Sequence, residues 1–86
     1  MPSYLIVSPH SREGCTQVLQ DTLATGYLTH FDWGCKDGEH TGWAIIEASS
    51  KAEAMMAVPT IARHDAHIVQ LTKFTPEEVR AMHGMK

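Results

Sequence analysis

Histidine and cysteine are the residue types in this sequence best suited to chemistry, since six histidines and two cysteines occur among 86 residues. The segment HFDWGCKDGEHTGWA, residues 30–44, combines two of the histidines and one cysteine with acidic and aromatic residues. Imidazole exchanges protons near neutral pH, and imidazole together with thiolate binds transition metals. The sequence therefore raises two hypotheses, a proton-transfer pocket and a metal site.

The proton-transfer hypothesis rests on His30 and Asp32, which are two residues apart on an expected strand. Their side chains would then point the same way, about 7 Å apart, and a histidine near a carboxylate can act as a general acid or base. We predict that His30 or His10 carries the proton and that Asp32 orients the histidine. The side chains predicted to bind a small polar organic ligand are Tyr4, Ser8, Trp43, Glu47 and Gln70. An ordinary exposed pair of His30 and Asp32 is the alternative, and whether any reaction occurs is left open.

The metal hypothesis rests on residues that turns would bring to one edge of the expected sheet, namely His10, Cys35, Asp37, His40, His64 and His67. As cross-strand partners, Cys35 and His40 would have Cβ atoms about 5 Å apart, and their donor atoms favour zinc, nickel or copper. The predicted metal ligands are Cys35, His40, His64 and His67. Alternate side chains of a strand point to opposite faces of the sheet, and by this alternation His10 faces away from Cys35 and His40. This argues against one site shared by all of them. Histidines that merely occupy turns are the alternative.

The second cysteine, Cys15, is expected in a different environment. It lies with Val18 and Leu19 on the apolar stripe of an expected helix, where a cysteine usually packs as a small hydrophobic side chain. It is therefore left out of the predicted metal site.

The elements that position these residues follow from hydrophobic patterning and from helix-capping signals. Strands are expected at residues 4–7, 29–35, 40–48 and 67–74, with Asp37-Gly38 as the turn of a hairpin between the middle two. One helix is expected to begin at Arg12 and to end just before Gly26. Two more are expected after the capping box 50–53 as far as about Val58, and after the capping box 75–78 as far as about His83. This order predicts an α+β, ferredoxin-like βαββαβ domain with a four-stranded antiparallel sheet. It spans residues 1–86, with 75–86 as a C-terminal helical extension.

Strand parity assigns the side chains to two faces of the sheet. The face expected beneath the helices holds Phe31, Trp33, Cys35, His40, Gly42 and Ala44 together with Leu5, Val7, Val69 and Leu71. The opposite face is expected to hold Tyr4, Ile6, Ser8, His10, His30, Asp32, Trp43, Ile45, Glu47, Ile68, Gln70 and Thr72. Apolar patches of that size usually mark an interaction surface, so we expect a second copy to cover it, sheet facing sheet, in a homodimer.

This element order and patterning, over residues 3–74, resembles the dimeric α/β-barrel superfamily, which includes antibiotic-biosynthesis monooxygenases and muconolactone isomerases. The resemblance implies a homodimer whose sheets enclose a pocket for a small organic molecule or a haem. The residues that would line such a pocket here are Tyr4, His10, His30, Asp32, Trp43 and Glu47. It transfers no catalytic residue, because no subfamily motif is present.

Composition narrows the remaining classes. The chain is 43% hydrophobic and 20% charged with a net charge of −3, and without a Lys/Arg cluster we expect no nucleic-acid partner. No apolar run approaches the roughly 18 residues of a membrane span, and the first apolar run is too brief for a signal peptide, so we expect a reduced, cytoplasmic protein. The predicted function is binding of a small molecule, with possible catalysis that needs no tightly bound organic cofactor. The alternatives are a metal-binding protein and an interaction module without a ligand.

Overall fold

The computed structural model describes residues 1–82, which form an α+β fold of one open sheet and three helices. The strands are β1 (Ser3–Pro9), β2 (Asp32–Trp33), β3 (Thr41–Glu47) and β4 (His67–Leu71). The helices are α1 (Cys15–Ala24), α2 (Lys51–Met55) and α3 (Pro76–Ala81). The sheet is antiparallel throughout, in the order β2-β3-β1-β4. The prediction of an α+β fold with a four-stranded antiparallel sheet is confirmed, while the predicted helix end at His83 lies outside the described residues.

Helix α1 begins later than predicted because a separate turn precedes it. The hydroxyl oxygen of Ser11 accepts a hydrogen bond from the backbone N–H of Gly14 at 3.0 Å, and residues 12–14 form that turn. The helix proper starts at Cys15. Gly26 follows its last turn with φ +86°, a conformation that glycine adopts without steric cost.

The two capping boxes differ in how completely they form. Thr75 and Glu78 exchange both hydrogen bonds of the box at the start of α3, with Pro76 in the first turn, as predicted. At α2, the Ser50 hydroxyl accepts from the Glu53 N–H, but the Glu53 carboxylate receives a hydrogen bond from the Ser49 hydroxyl instead. Helix α2 ends at Met55, before the predicted end near Val58.

The predicted strand 29–35 is mostly turn, although its register was predicted correctly. Residues 28–30 form a 3-10 turn and β2 has only two residues, with Trp33 opposite Gly42. A Cβ atom on Gly42 would lie 2.7 Å from Trp33 Cζ3, so the glycine makes room for the indole. The hairpin closes early because the Glu39 N–H donates to the Gly34 carbonyl at 3.0 Å. A 3-10 turn then occupies 35–37, so Cys35 and His40 lie in the β2–β3 loop instead of pairing in the ladder.

The faces of β1 and β4 are the reverse of those predicted. Tyr4 and Ile6 are 4% and 0% exposed beneath the helices, and Ile6 is paired with Ala44 and Ile68. The opposite surface, which we call the open face, bears Leu5, Val7, Asp32, Trp43, Ile45, Glu47, His67, Val69 and Leu71. The assignments for β2 and β3 were correct. The error arose because the run at 4–7 is apolar throughout, so no alternation of apolar and polar residues shows which side chains face the helices. A shift of one residue in this assignment moves every side chain of the strand to the other face.

The core lies between the sheet and the helices. It consists of Tyr4, Ile6, Val18, Phe31, Ala44, Ala48, Ala54, Ala57, Val58, Ala62 and Ile68. Large apolar side chains that stay exposed include Ile45, Val69 and Leu71 on the open face, and Phe74, Val79 and Met82 in the C-terminal segment. Among residues 1–82, each helix is too short or too polar to cross a bilayer.

Candidate metal centre

Four side chains meet where β1 ends, and we call them the His/Cys cluster: His10, Cys15, Cys35 and His40. Each offers one ligand atom, and these four atoms all lie within 4.8 Å of one another. All four residues are half-buried. A group of two thiols and two imidazoles at this spacing could bind a metal ion.

Local structure explains why these residues converge. His10 directly follows β1, and its backbone N–H donates to the His40 carbonyl at 2.9 Å, which joins the end of β1 to the β2–β3 loop. The Ser11–Gly14 turn reverses the chain so that Cys15 opens α1 close by. Cys35 begins the 3-10 turn of the β2–β3 loop, and its Sγ lies 3.5 Å from His10 Nε2.

The histidine rings are packed but incompletely hydrogen-bonded. The rings of His10 and His40 meet edge to face with centroids 5.6 Å apart, and the Trp33 indole lies 6.2 Å from the His10 ring. The Nδ1 atoms of both histidines are buried and find no hydrogen-bond partner within residues 1–82. Buried nitrogens without a partner are uncommon in folded proteins.

Burial also shifts the pKa values of two side chains in the cluster. Burial, followed by the electrostatic effect of the nearby His40 ring, lowers the pKa of His10 below its ordinary value of 6.5. Burial likewise raises the pKa of the Cys35 thiol, and the hydrogen bond and electrostatic interaction with Cys15 raise it further. Near neutral pH, His10 is therefore a neutral imidazole with a lone pair available to a metal ion. Cys35 is a protonated thiol that must release its proton on binding a metal.

The predicted metal ligands divide into two groups. Cys35 and His40 belong to the His/Cys cluster, and His10 joins them because the reversal of β1 places it on their side. His64 is exposed and lies 3.2 Å from the Asp65 carboxylate, and His67 is exposed on β4 opposite Val7. Neither His64 nor His67 contributes to the His/Cys cluster.

Cys15 is the member of the cluster that sequence reasoning missed. Its place on an apolar helix stripe suggested a core side chain, but its sulfur lies among the other ligand atoms. The sequence does contain a signal, since His10 and Cys15 are separated by four residues, and so are Cys35 and His40. Paired ligands at short spacing, repeated farther along the chain, are typical of zinc sites.

The residues predicted for the organic pocket are dispersed. His30, Asp32 and Trp43 line a groove of about 340 Å³ on the open face, together with Leu5, Ala44 and Ile45. Tyr4 and Ser8 are buried on the helix side of the sheet, while Glu47 and Gln70 are exposed. His10 lies in the His/Cys cluster.

Comparison of the chain with protein-family models, with curated proteins and with solved structures found no match.

Proposed function

We propose that this protein binds one transition-metal ion, zinc by preference, through His10, Cys15, Cys35 and His40. The observation that carries the proposal is the convergence of four borderline-to-soft donor atoms within 4.8 Å. Two sulfurs and two nitrogens form the donor set that zinc binds in tetrahedral structural sites.

The observed spacing needs little adjustment to hold such an ion. Zinc–sulfur and zinc–nitrogen bond lengths in a tetrahedral site imply separations of about 3.8 Å between sulfurs, about 3.6 Å between sulfur and nitrogen, and about 3.3 Å between nitrogens. The Cys35 Sγ to His10 Nε2 distance is 3.5 Å, and no pair in the His/Cys cluster exceeds 4.8 Å. Small side-chain rotations at Cys15 and His40 would bring the other donor atoms to these separations.

The charge and connectivity of the site favour a structural role. Two thiolates and two neutral imidazoles around Zn²⁺ make a neutral complex, which limits the cost of placing it in a half-buried site. The protein fills all four tetrahedral positions, as in closed structural sites. The ion would join the end of β1, the start of α1 and the β2–β3 loop. A reducing compartment such as the cytoplasm would keep both cysteines available as thiols.

Cobalt substitution tests the site directly. We expect one Co²⁺ per chain under anaerobic conditions, with the strong visible bands of tetrahedral cobalt and near-ultraviolet thiolate-to-cobalt charge transfer. Cys15→Ser should weaken the charge-transfer band, and His40→Ala should lower the affinity. Competition with a chromophoric chelator then gives the zinc affinity of each variant.

His64→Ala and His67→Ala are matched controls, because both histidines are exposed and lie outside the His/Cys cluster. They should bind cobalt as the unmodified chain does. The proposal fails if cobalt gives only the weak spectrum of an octahedral ion, or if His67→Ala removes the metal while Cys15→Ser does not.

We also propose, as a second function, that the open face pairs with that of another copy in a ferredoxin-like homodimer and holds a small organic ligand. The supporting observation is the groove in which His30, Asp32 and Trp43 lie together, beside exposed apolar side chains such as Ile45. A histidine, a carboxylate and an indole supply the polar and stacking groups that ligand pockets use. His30 would carry a proton and Asp32 would orient it.

Native mass spectrometry of the untagged protein as purified tests this second proposal. A dimer with an organic adduct that Asp32→Ala loses, and that Cys15→Ser retains, would support it. A monomer without an adduct would contradict it, whatever the metal content.

A further inference from the structure

We propose that Cys15 and Cys35 are a redox-active dithiol, which a hydroperoxide oxidises to an intramolecular disulfide with release of the metal. The metal-release step rests on the proposed metal site, whereas disulfide formation does not. Neither cysteine is disulfide-bonded in the structure, and their sulfurs belong to one group of atoms within 4.8 Å. Closing that gap to a sulfur–sulfur bond of about 2.0 Å requires both side chains to approach by rotation and a shift of one loop.

The β2–β3 loop is the part of the chain suited to such a shift. Cys35 lies in its short 3-10 turn, which Gly34 precedes and Gly38 follows. Gly38 has φ +86°, in the region that favours glycine. Cys15, in contrast, is the first residue of a ten-residue helix. Movement of Cys35 toward a fixed Cys15 is the simpler route to the disulfide.

Both cysteines are half-buried, and a groove at Cys35 offers a route for the oxidant. Cys35 lines an open groove of about 430 Å³ together with Leu28, Trp33 and Lys36. A small hydroperoxide could reach Cys35 through this groove. Cys35 is therefore assigned as the attacking thiolate and Cys15 as the resolving one.

The chemistry balances with hydrogen peroxide as the oxidant. In the metal-free protein the Cys35 thiol first loses its proton to solvent. The thiolate then attacks one peroxide oxygen, the O–O bond breaks, and Cys35 becomes a sulfenic acid with release of hydroxide. The Cys15 thiolate then attacks the Cys35 sulfur, the S–O bond breaks and a second hydroxide leaves. The two sulfurs together lose two electrons, which the two peroxide oxygens gain. A disulfide no longer supplies the thiolate ligands that a zinc ion needs. Only two imidazoles then remain to hold the ion, and it dissociates.

The experiment treats zinc-loaded and chelator-stripped protein with one equivalent of hydrogen peroxide per chain. We expect intact mass to show the loss of two hydrogens in both samples, and a chromophoric chelator to detect one zinc released per disulfide in the loaded sample. Cleavage before Asp21 and Asp32 separates the two cysteines, so the linked fragments identify the Cys15–Cys35 bond. In Cys15→Ser, a dimedone-type reagent should label a sulfenic acid at Cys35, while Cys35→Ser should show no such label at Cys15.

Each alternative result is distinct. Disulfides between molecules, or oxidation of Cys35 to a sulfinic acid in the unmodified chain, would overturn the dithiol. Retention of zinc after complete disulfide formation would overturn the release step. If no zinc loads at any stage and the stripped protein still forms the Cys15–Cys35 disulfide, the dithiol stands and the metal function fails. The His64→Ala variant serves as the control and should respond as the unmodified chain does.

Discussion

Zinc should raise the stability of this protein by several kcal/mol, because the proposed ion joins three segments that are separate in the sequence. The perturbation is the addition of zinc to chelator-stripped protein in the presence of a reductant. The ion would link the end of β1 to the start of α1 and would hold both to the β2–β3 loop, where β2 contributes only two residues to the sheet. In the unfolded chain these ligands are far apart, so zinc binds the native state preferentially.

The expected magnitude follows from two separate considerations. A link that closes the segment 15–35 lowers the entropy of the unfolded chain by the equivalent of about 3 kcal/mol. Mass action at a free zinc concentration 1,000-fold above the dissociation constant gives about 4 kcal/mol. The two agree on a gain of about 3–4 kcal/mol, and for a domain of this size that corresponds to a rise in Tm of roughly 15–30 °C.

Thermal unfolding followed by circular dichroism measures this shift. Cys15→Ser should lose most of the zinc-dependent rise, while His64→Ala should keep it, because His64 is exposed and paired with Asp65 outside the cluster. Magnesium should produce no comparable rise, since it prefers oxygen ligands. An equal zinc-dependent rise in Cys15→Ser would refute the reasoning, and so would a rise below about 5 °C in the unmodified chain at that zinc excess.

Four other outcomes are expected. Gly42→Ala should lower the free energy of unfolding by about 1–3 kcal/mol in urea titrations, because its Cβ would lie 2.7 Å from the Trp33 ring; an unchanged urea midpoint would contradict the close packing. The metal-free protein should lose stability as the pH falls below 6.5, because the lowered pKa of His10 leaves the folded state binding fewer protons than the unfolded state. It should also lose stability as the pH rises above 9.0, because the raised pKa of Cys35 lets the unfolded thiol ionise first. Urea unfolding midpoints measured across this pH range test both declines. The decline at acid pH should be shallower in His10→Gln. Ile45→Lys should convert a homodimer to monomers in light-scattering measurements while leaving one metal ion per chain, since Ile45 is 66% exposed on the open face; a dimer that persists would place the interface elsewhere.

Local signals in the sequence predicted the elements well where they were chemically specific. The Thr75 capping box and the glycine opposite Trp33 were both predicted correctly, because each depends on neighbouring residues or on one hairpin register. The strand expected at 29–35 was wrong over most of its length. Aromatic and β-branched residues there suit a strand, but a 3-10 turn at 28–30 and an early hairpin closure at Gly34 leave β2 with two residues.

The site was predicted only in part, because its assembly depends on the parity of β1. Parity within the hairpin follows from its turn, whereas nothing local connects the parity of β1 to that of β3. Choosing the wrong parity separated His10 from Cys35 and His40. Cys15 was left out for a separate reason, because its place on an apolar helix stripe suggested a core side chain. The structure corrects that one choice, and the four residues then meet. An error of a single residue in the parity of β1 therefore concealed the place of His10 in the cluster.

The composition of the core gives a physical reason for a metal at this position. Within residues 1–82, five of the eleven buried core residues are alanines, and alanine removes far less apolar surface from water than leucine or phenylalanine does. A domain of this size has little stability to spare, and small domains often gain it from a metal or a disulfide. The His/Cys cluster lies where the hairpin is most weakly paired, at the end of β1 and in the β2–β3 loop. A bound ion there would stabilise the weakly paired end of the hairpin. Oxidation of Cys15 and Cys35 would replace the ion's link among three segments by a covalent bond between two of them, so that the β2–β3 loop stays attached to α1 while the ion is released.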